Sequence, residues 1–235
     1  GDDNVPDLAI GRLPAATVAE LQAMVDKIIA YEAQPAGDWS RRALVVADDP
    51  DPAGDFPADS EDITIRLPID LVVERIYLSE QTPADARAAL VDGIAAGAGL
   101  VNYLGHGGVD RLAAEGLLRL NDIAQLTNGA RLPLVLAFTC AAGECTIPGY
   151  PGLGEALLTR PAGGAIAVYA PAGLSDNAAA AELNAMVAIE LGHGHATLGD
   201  AIRAALGAWA PADSRAAYHR DLYILLGDPA LQLKR

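Results

Sequence analysis

"LVNYLGHGGVD", residues 100–110, is the stretch on which the fold turns. A short run, apolar apart from Asn102, leads straight into Gly-His-Gly-Gly. A near-continuous apolar run of this length suits a strand buried on both faces, as in a parallel sheet covered by helices. In such sheets, sites gather at the carboxyl ends of the strands. His106, one of only four histidines, stands at such an end. It is either a catalytic imidazole at the sheet rim or a surface residue in a glycine-rich turn.

The same alternation continues on both sides. Upstream, 17–33 (TVAELQAMVDKIIAYEA) predicts a helix. Thr17 and Glu20 form a capping box, and Leu21, Met24, Val25, Ile28 and Ile29 fall on one face. Strands are expected at 42–47 (RALVVA) and 71–78 (LVVERIYL), separated by the acidic loop DDPDPAGDFPADSED. The segment 82–97 predicts a helix with Thr82 as cap and Pro83 in its first turn.

Downstream, LNDIAQLTN gives a short helix, 132–139 (LPLVLAFT) a strand ending at Cys140, and LGEALLTR a helix. Residues 163–170 form a further strand, 176–192 and 196–209 two helices, and 222–227 a late strand. DLAIGRL, near the start, reads as a short strand or an extended entry segment. Repeated βαβ units predict an α/β fold, a three-layer α/β/α sandwich with a mainly parallel sheet. A single domain spanning 1–235 accommodates them.

Composition narrows the function. Asp and Glu total 31 against 16 Lys and Arg, a formal charge of −15. Nucleic acid is therefore not an expected partner, because phosphate contacts need clustered Lys and Arg. No apolar run reaches the ~18 residues of a membrane-spanning helix, so no membrane insertion is expected. Oligomeric state is not legible. The opening GDDNVPDLAIGRLP carries neither an initiator Met nor a signal-peptide pattern, and reads as the continuation of a longer chain. Two cysteines, Cys140 and Cys145, make no disulfide framework.

Two strand ends are chemically loaded, one by His106 and the other by Cys140. Consecutive parallel strands joined by a helical crossover often lie side by side. That would place an imidazole and a thiol on one rim. An imidazole can generate the thiolate, and the thiolate can attack a carbonyl. The imidazole then protonates the leaving amine. Gly107 allows close backbone approach, and its N–H with that of Cys140 would form an oxyanion hole. Taken alone, Cys140 reads equally as a small core residue.

Other residues carry open readings. Asp48, Asp49, Asp51 and Asp55 form a solvated acidic loop or a structural calcium site, with Asp51 and Asp55 as metal candidates. No cofactor is required for the chemistry. In GHGHATLGD, His193 and His195 are either a metal pair or, as preferred, the closure of one helix before the next, beside the helix-ending Gly192 and Gly194.

The chain resembles the gingipain-type cysteine peptidases, a branch of the caspase-like fold. The resembling segments run in order along it: PDLAIGRLPA, MVDKIIAYE, LVNYLGHGG, LAFTCAAGE, LGEALL, GGAIAVYAPAGLSDN, TLGDAI and LLGDPAL. The resemblance implies a cysteine endopeptidase with His106 and Cys140 as its dyad and a thioacyl intermediate. The substrate would be a protein or peptide. It implies oxyanion donors at Gly107 and Cys140, and Asp48 or Asp49 as the carboxylate orienting the imidazole.

It further implies a substrate cleft near Gly105, Gly108, Ser175 and Asp176. Asp176 would receive a basic side chain or, as favoured, cap the following helix. Arg111 would instead suit an acidic side chain. Two alternatives share the fold: a sortase-like transpeptidase, and a non-catalytic interaction module. The family usually carries further sheet-forming sequence before this opening, so the domain is expected to lack its N-terminal part. A secreted or cell-surface location is implied by the family alone.

Overall fold

The run 100–104 is the third strand in the chain and an inner strand of a six-stranded sheet. A computed structural model describes residues 6–209 and 214–234, so residues 1–5 of the opening segment lie outside the described residues. The elements in chain order are α1 (Val18–Ala33), β1 (Arg42–Ala47), α2 (Phe56–Thr64), β2 (Val72–Tyr77), α3 (Pro83–Ala96) and β3 (Leu100–Leu104). Three two-residue strands follow, β4 (Gly107–Gly108), β5 (Arg111–Leu112) and β6 (Leu118–Arg119). The remainder are α4 (Leu120–Ile123), β7 (Leu134–Phe138), α5 (Leu153–Thr159), β8 (Ala167–Pro171), α6 (Asn177–Gly192), α7 (Leu198–Ala208), α8 (Ser214–Leu222) and β9 (Tyr223–Leu226).

The main sheet has the order β2-β1-β3-β7-β8-β9. All its pairings are parallel except β8 with β9. The fold is therefore the expected mixed α/β class with a mainly parallel sheet. Side chains alternate across it. Leu44, Val46, Val101 and Val135 enter a core with Leu90 and Ile94 of α3 and Leu157 of α5. Val45, Leu104, Leu136 and Phe138 enter the opposite core with Ile63 of α2, Leu183 of α6 and Ile202 of α7. Burial on both faces explains why these strands read as apolar runs.

Asn102 is the polar interruption in β3, and it is fully buried. Its amide exchanges two hydrogen bonds with that of Asn184 on α6, at 2.7 and 3.0 Å. The pair fixes how α6 lies over β3.

Several expectations need correction. The capping box of α1 is present, with Thr17 accepting from the Glu20 N–H. Its inward face, however, is Met24, Lys27 and Tyr31, while Leu21 and Ile29 are exposed. The acidic loop contains α2, capped by Asp55 and started by Phe56-Pro57. Of the two readings of the entry segment, the short strand is excluded, and the segment makes a single bridge, Arg12 to Leu226. The small β4-β5-β6 sheet and α8 had no counterpart in the sequence reading. Two-residue strands carry no periodicity. Among the described residues, no helix is long and apolar enough to cross a membrane.

Candidate active site

β3 and β7 are neighbours, and Leu104 pairs with Phe138. His106 and Cys140 each stand two residues beyond that matched pair, on the same rim of the sheet. Gly105 prolongs the ladder, its N–H bonding the Phe138 carbonyl at 3.3 Å. Gly105, His106, Thr139 and Cys140 line one cleft together with Phe56, Ser175 and Asn177. The rim placement expected for imidazole and thiol is what the sheet order produces.

The backbone of His106 is held by Asp48. The Asp48 carboxylate accepts the His106 N–H at 2.9 Å, and the Tyr103 hydroxyl donates to the His106 carbonyl at 2.5 Å. Asp48 is buried, and burial pushes its carboxyl above the usual range, partly offset by the N–H groups of His106 and Asp49. The tight approach excludes a side chain at Gly105. A Cβ there would lie 2.4 Å from that of Asp48.

The ring of His106 is held by a different residue. Its Nε2 lies 2.9 Å from Oδ2 of Asp51. The His106 hydrogen bond holds the Asp51 carboxyl below its ordinary value, helped by the Ala53 N–H. An ionised carboxylate only accepts, so the proton of this contact sits on Nε2. Nδ1 is then the basic nitrogen, and no described protein group bonds it. Phe56, the first residue of α2, meets the ring edge-on with centroids 5.3 Å apart.

Asp48 and Asp49 therefore do not reach the ring, contrary to the orienting role expected for them. Asp48 bonds the main chain of His106, and Asp49 sits beside Asp48, donating its N–H to Asp48 Oδ1. Asp51 and Asp55 also part company. Asp51 serves His106, and Asp55 caps α2 by accepting the Ala58 N–H. Neither belongs to a described group of three carboxylate or imidazole ligands. One signal for Asp51 was present. Asp-Pro-Ala-Gly is a type I turn sequence with Asp first, and Asp51 and Gly54 do exchange two backbone bonds at 3.1 Å. That turn lifts the carboxylate towards the rim.

The thiol of Cys140 is bracketed by one residue. Sγ accepts the Ser175 N–H at 3.4 Å and faces the Ser175 carbonyl at 3.7 Å. Ser175 is itself fixed, its hydroxyl 3.0 Å from that of Tyr223. The next N–H, that of Asp176, donates to Nε2 of buried His219 at 3.0 Å. Asp176 is not part of the cleft lining. Its carboxylate accepts the Ala179 N–H and caps α6, which is the helix-capping alternative. Arg111 pairs with Asp110 at 2.9 Å.

The backbone at Gly107 is set by the β4–β5 ladder. The Ala113 N–H bonds the His106 carbonyl at 2.8 Å, which makes that couple hydrogen-bonded. The neighbouring couple, Gly107 with Leu112, is then the non-bonded one, and the Gly107 N–H points away from β5. Gly107 also lies against Thr139, where a Cβ would come within 2.4 Å of Oγ1. Gly108 is in open space. After Cys140 the chain turns sharply. Ala141 adopts φ 51°, a left-handed conformation that costs a residue with a Cβ about 1 kcal/mol or more. Its N–H is consumed by the Gly173 carbonyl at 2.8 Å.

The family model described as Peptidase family C25 matches residues 1–234. No curated protein sequence matches. Among solved structures, the Arg-specific cysteine proteinase gingipain R superposes with a TM-score of 0.83 at 22% identity, covering 99% of this chain and 57% of that one. The complex of Porphyromonas gingivalis RgpB pro- and mature domains gives 0.82 at 22% identity, covering 100% of this chain and 58% of that one. A Saccharomyces cerevisiae separase–securin complex gives 0.61 at 16% identity, covering 94% of this chain and 14% of that one. These likenesses speak for a shared fold. The chain spans little more than half the length of the gingipain chains it matches.

Proposed function

Because the chain belongs to peptidase family C25, we propose that it hydrolyses peptide bonds in protein or peptide substrates, with Cys140 as nucleophile and His106 as general acid and base. The observation that carries this reading is the register match. His106 and Cys140 leave adjacent parallel strands two residues past the Leu104–Phe138 pair and line one cleft.

The reaction follows from the contacts. Nδ1 of His106 takes the thiol proton, and Asp51 stabilises the imidazolium through Nε2. The Ser175 N–H supports the thiolate while it waits. Sulfur then bonds the substrate carbonyl carbon, and the carbonyl electron pair moves onto oxygen. The N–H groups of Gly107 and Cys140 receive that oxyanion. When the C–N bond breaks, Nδ1–H gives its proton to the departing amine and a thioacyl enzyme remains. Water attacks the thioacyl carbon, its proton goes to Nδ1, and the acid and free thiol are released. In this scheme Asp48 keeps the imidazole backbone in place and Asp51 sets its tautomer.

The test is hydrolysis of a fluorogenic peptide library by the wild type, Cys140→Ala and His106→Ala. Both variants are expected to lose cleavage while keeping the wild-type circular dichroism spectrum. Undiminished cleavage by Cys140→Ala overturns the assignment.

A further inference from the structure

The end of α6 remote from the thiol carries a second constellation, in the sequence Glu190-Leu-Gly-His-Gly-His195. Glu190 and His193 are three apart on the last helical turn, so their side chains share a face. His193 is the C-cap, and its N–H bonds the Glu190 carbonyl. Gly194 follows at φ 74°, a left-handed turn available to glycine without strain. The turn folds His195 back over the helix end.

The result is convergence on one atom. Oε2 of Glu190 lies 3.1 Å from His193 Nδ1 and 2.6 Å from His195 Nε2. One ligand atom from each of the three residues lies within 4.8 Å of the other two. We propose that Glu190, His193 and His195 bind a transition-metal dication of the zinc class, as a structural clamp on the turn that leaves α6 towards α7.

The chemistry of the donor set selects the ion. Two imidazole nitrogens and one carboxylate oxygen suit Zn2+, whereas Ca2+ and Mg2+ prefer all-oxygen sets. Glu-x-x-His at helical spacing presents both ligands to one point. Zn–N and Zn–O bonds are about 2.0–2.2 Å, so ligand atoms around one ion sit about 3.3 Å apart. The two contacts on Oε2, at 3.1 and 2.6 Å, lie within about 0.7 Å of that spacing. The larger shift falls on His195, which is partly exposed, and the smaller on the exposed His193, while Glu190 is largely buried.

Surroundings agree. The site is at the C-terminal end of a 16-residue helix, where unpaired carbonyls favour positive charge. A cleft of about 280 Å3 opens beside His195, between Thr197, Ala201 and Gln232, with room for a water as fourth ligand. The metal would tie the end of α6 to the turn that leads towards α7. It would be about 24 Å along the helix from Asn177 in the thiol cleft, too far to enter the reaction.

The test uses the full chain with Cys140→Ala and Cys145→Ala, which removes thiol ligands. Titration with ZnCl2 is followed by calorimetry, and CoCl2 by visible absorption. One Zn2+ per chain is expected, with the absorption bands of four-coordinate Co2+, no competition from millimolar Ca2+ or Mg2+, and a raised Tm. Glu190→Gln, His193→Ala and His195→Ala are each expected to weaken Zn2+ binding by roughly tenfold or more. Circular dichroism checks folding, and exposed His193→Ala carries the result if His195→Ala fails to fold. Wild-type Zn2+ affinity in His193→Ala/His195→Ala, or a Kd for the unaltered site weaker than about 100 μM, overturns the proposal.

Discussion

Nε2 of His106 and Oδ2 of Asp51 lie 2.9 Å apart, joining the rim of β3 to a turn that leads into α2. The contact defines which imidazole nitrogen is basic. Asp51→Ala is expected to lower kcat/KM by roughly a hundredfold, at the lower end of what positioned acid–base catalysis supplies, with little change in Tm. Asp51→Asn keeps the shape but can turn either an oxygen or an NH2 to Nε2, so it loses less when the ring keeps its tautomer. Activity equal to wild type in Asp51→Ala would remove the residue from the mechanism.

Acid stability gives an independent check of the same contact. The folded-state carboxyl of Asp51 is held below its ordinary 3.8. A depressed folded value contributes stability that is present above 3.8 and lost as pH falls through the lowered value. Asp51→Asn is therefore expected to flatten the pH dependence of urea unfolding below about pH 4, relative to wild type. An unchanged acid limb would show that the ion pair adds nothing to folding.

The two thiols are expected to differ. Burial pushes the Cys145 thiol up, with Arg12 opposing. Alkylation at pH 7, read by peptide mass mapping, is expected to be at least about tenfold faster at Cys140 than at Cys145, because the thiolate is the reacting form. His106→Ala should slow Cys140 alone. Equal rates at both sites would deny the imidazole a role in activating the thiol.

Lys27 is 6% exposed, and its amine donates to the carbonyls of Leu157 and Leu158 at the end of α5. Burial, with the charge of Arg160 nearby, lowers its pKa to about 7. A neutral amine still has two hydrogens for the two carbonyls. Between pH 7 and 10 the unfolded chain binds the extra proton, so stability rises with pH on this account, by on the order of 1 kcal/mol per unit at most. Lys27→Met is expected to remove that slope in urea titrations at pH 7, 8.5 and 10. A slope identical to wild type would place the amine's ordinary value back in the folded state.

The Asn102–Asn184 pair should behave as a unit. Asn102→Leu or Asn184→Leu leaves one buried amide unpaired, at a cost of about 1–3 kcal/mol each. The double replacement removes both amides and should cost less than the sum, with a coupling of about 0.5–3 kcal/mol in chemical denaturation. Additive losses would mean that each amide finds another partner.

Local chemistry determined much of this protein in its sequence. Apolar runs uninterrupted by alternation marked β1, β3 and β7 as strands covered on both faces. The Thr17–Glu20 and Thr82–Pro83 signals placed two helix starts. The Gly-His-Gly and Thr-Cys strand ends named the two residues that line one cleft at the rim. Those features depend on neighbours within a few positions, so a linear reading reaches them. The inward face of α1 was another matter. Apolar spacing favoured Leu21 and Ile29, but packing turned Lys27 and Tyr31 inward, since α5 offered carbonyls to the amine. Nor could spacing choose among Asp48, Asp49, Asp51 and Asp55. Only the three-dimensional path of the turn at 51–54, the cap of α2 and the burial of Asp48 sorted four similar carboxylates into a ring partner, a helix cap, a main-chain anchor and a neighbour of that anchor. Distance and solvation decide the role of a charge, and both are set by the folded chain.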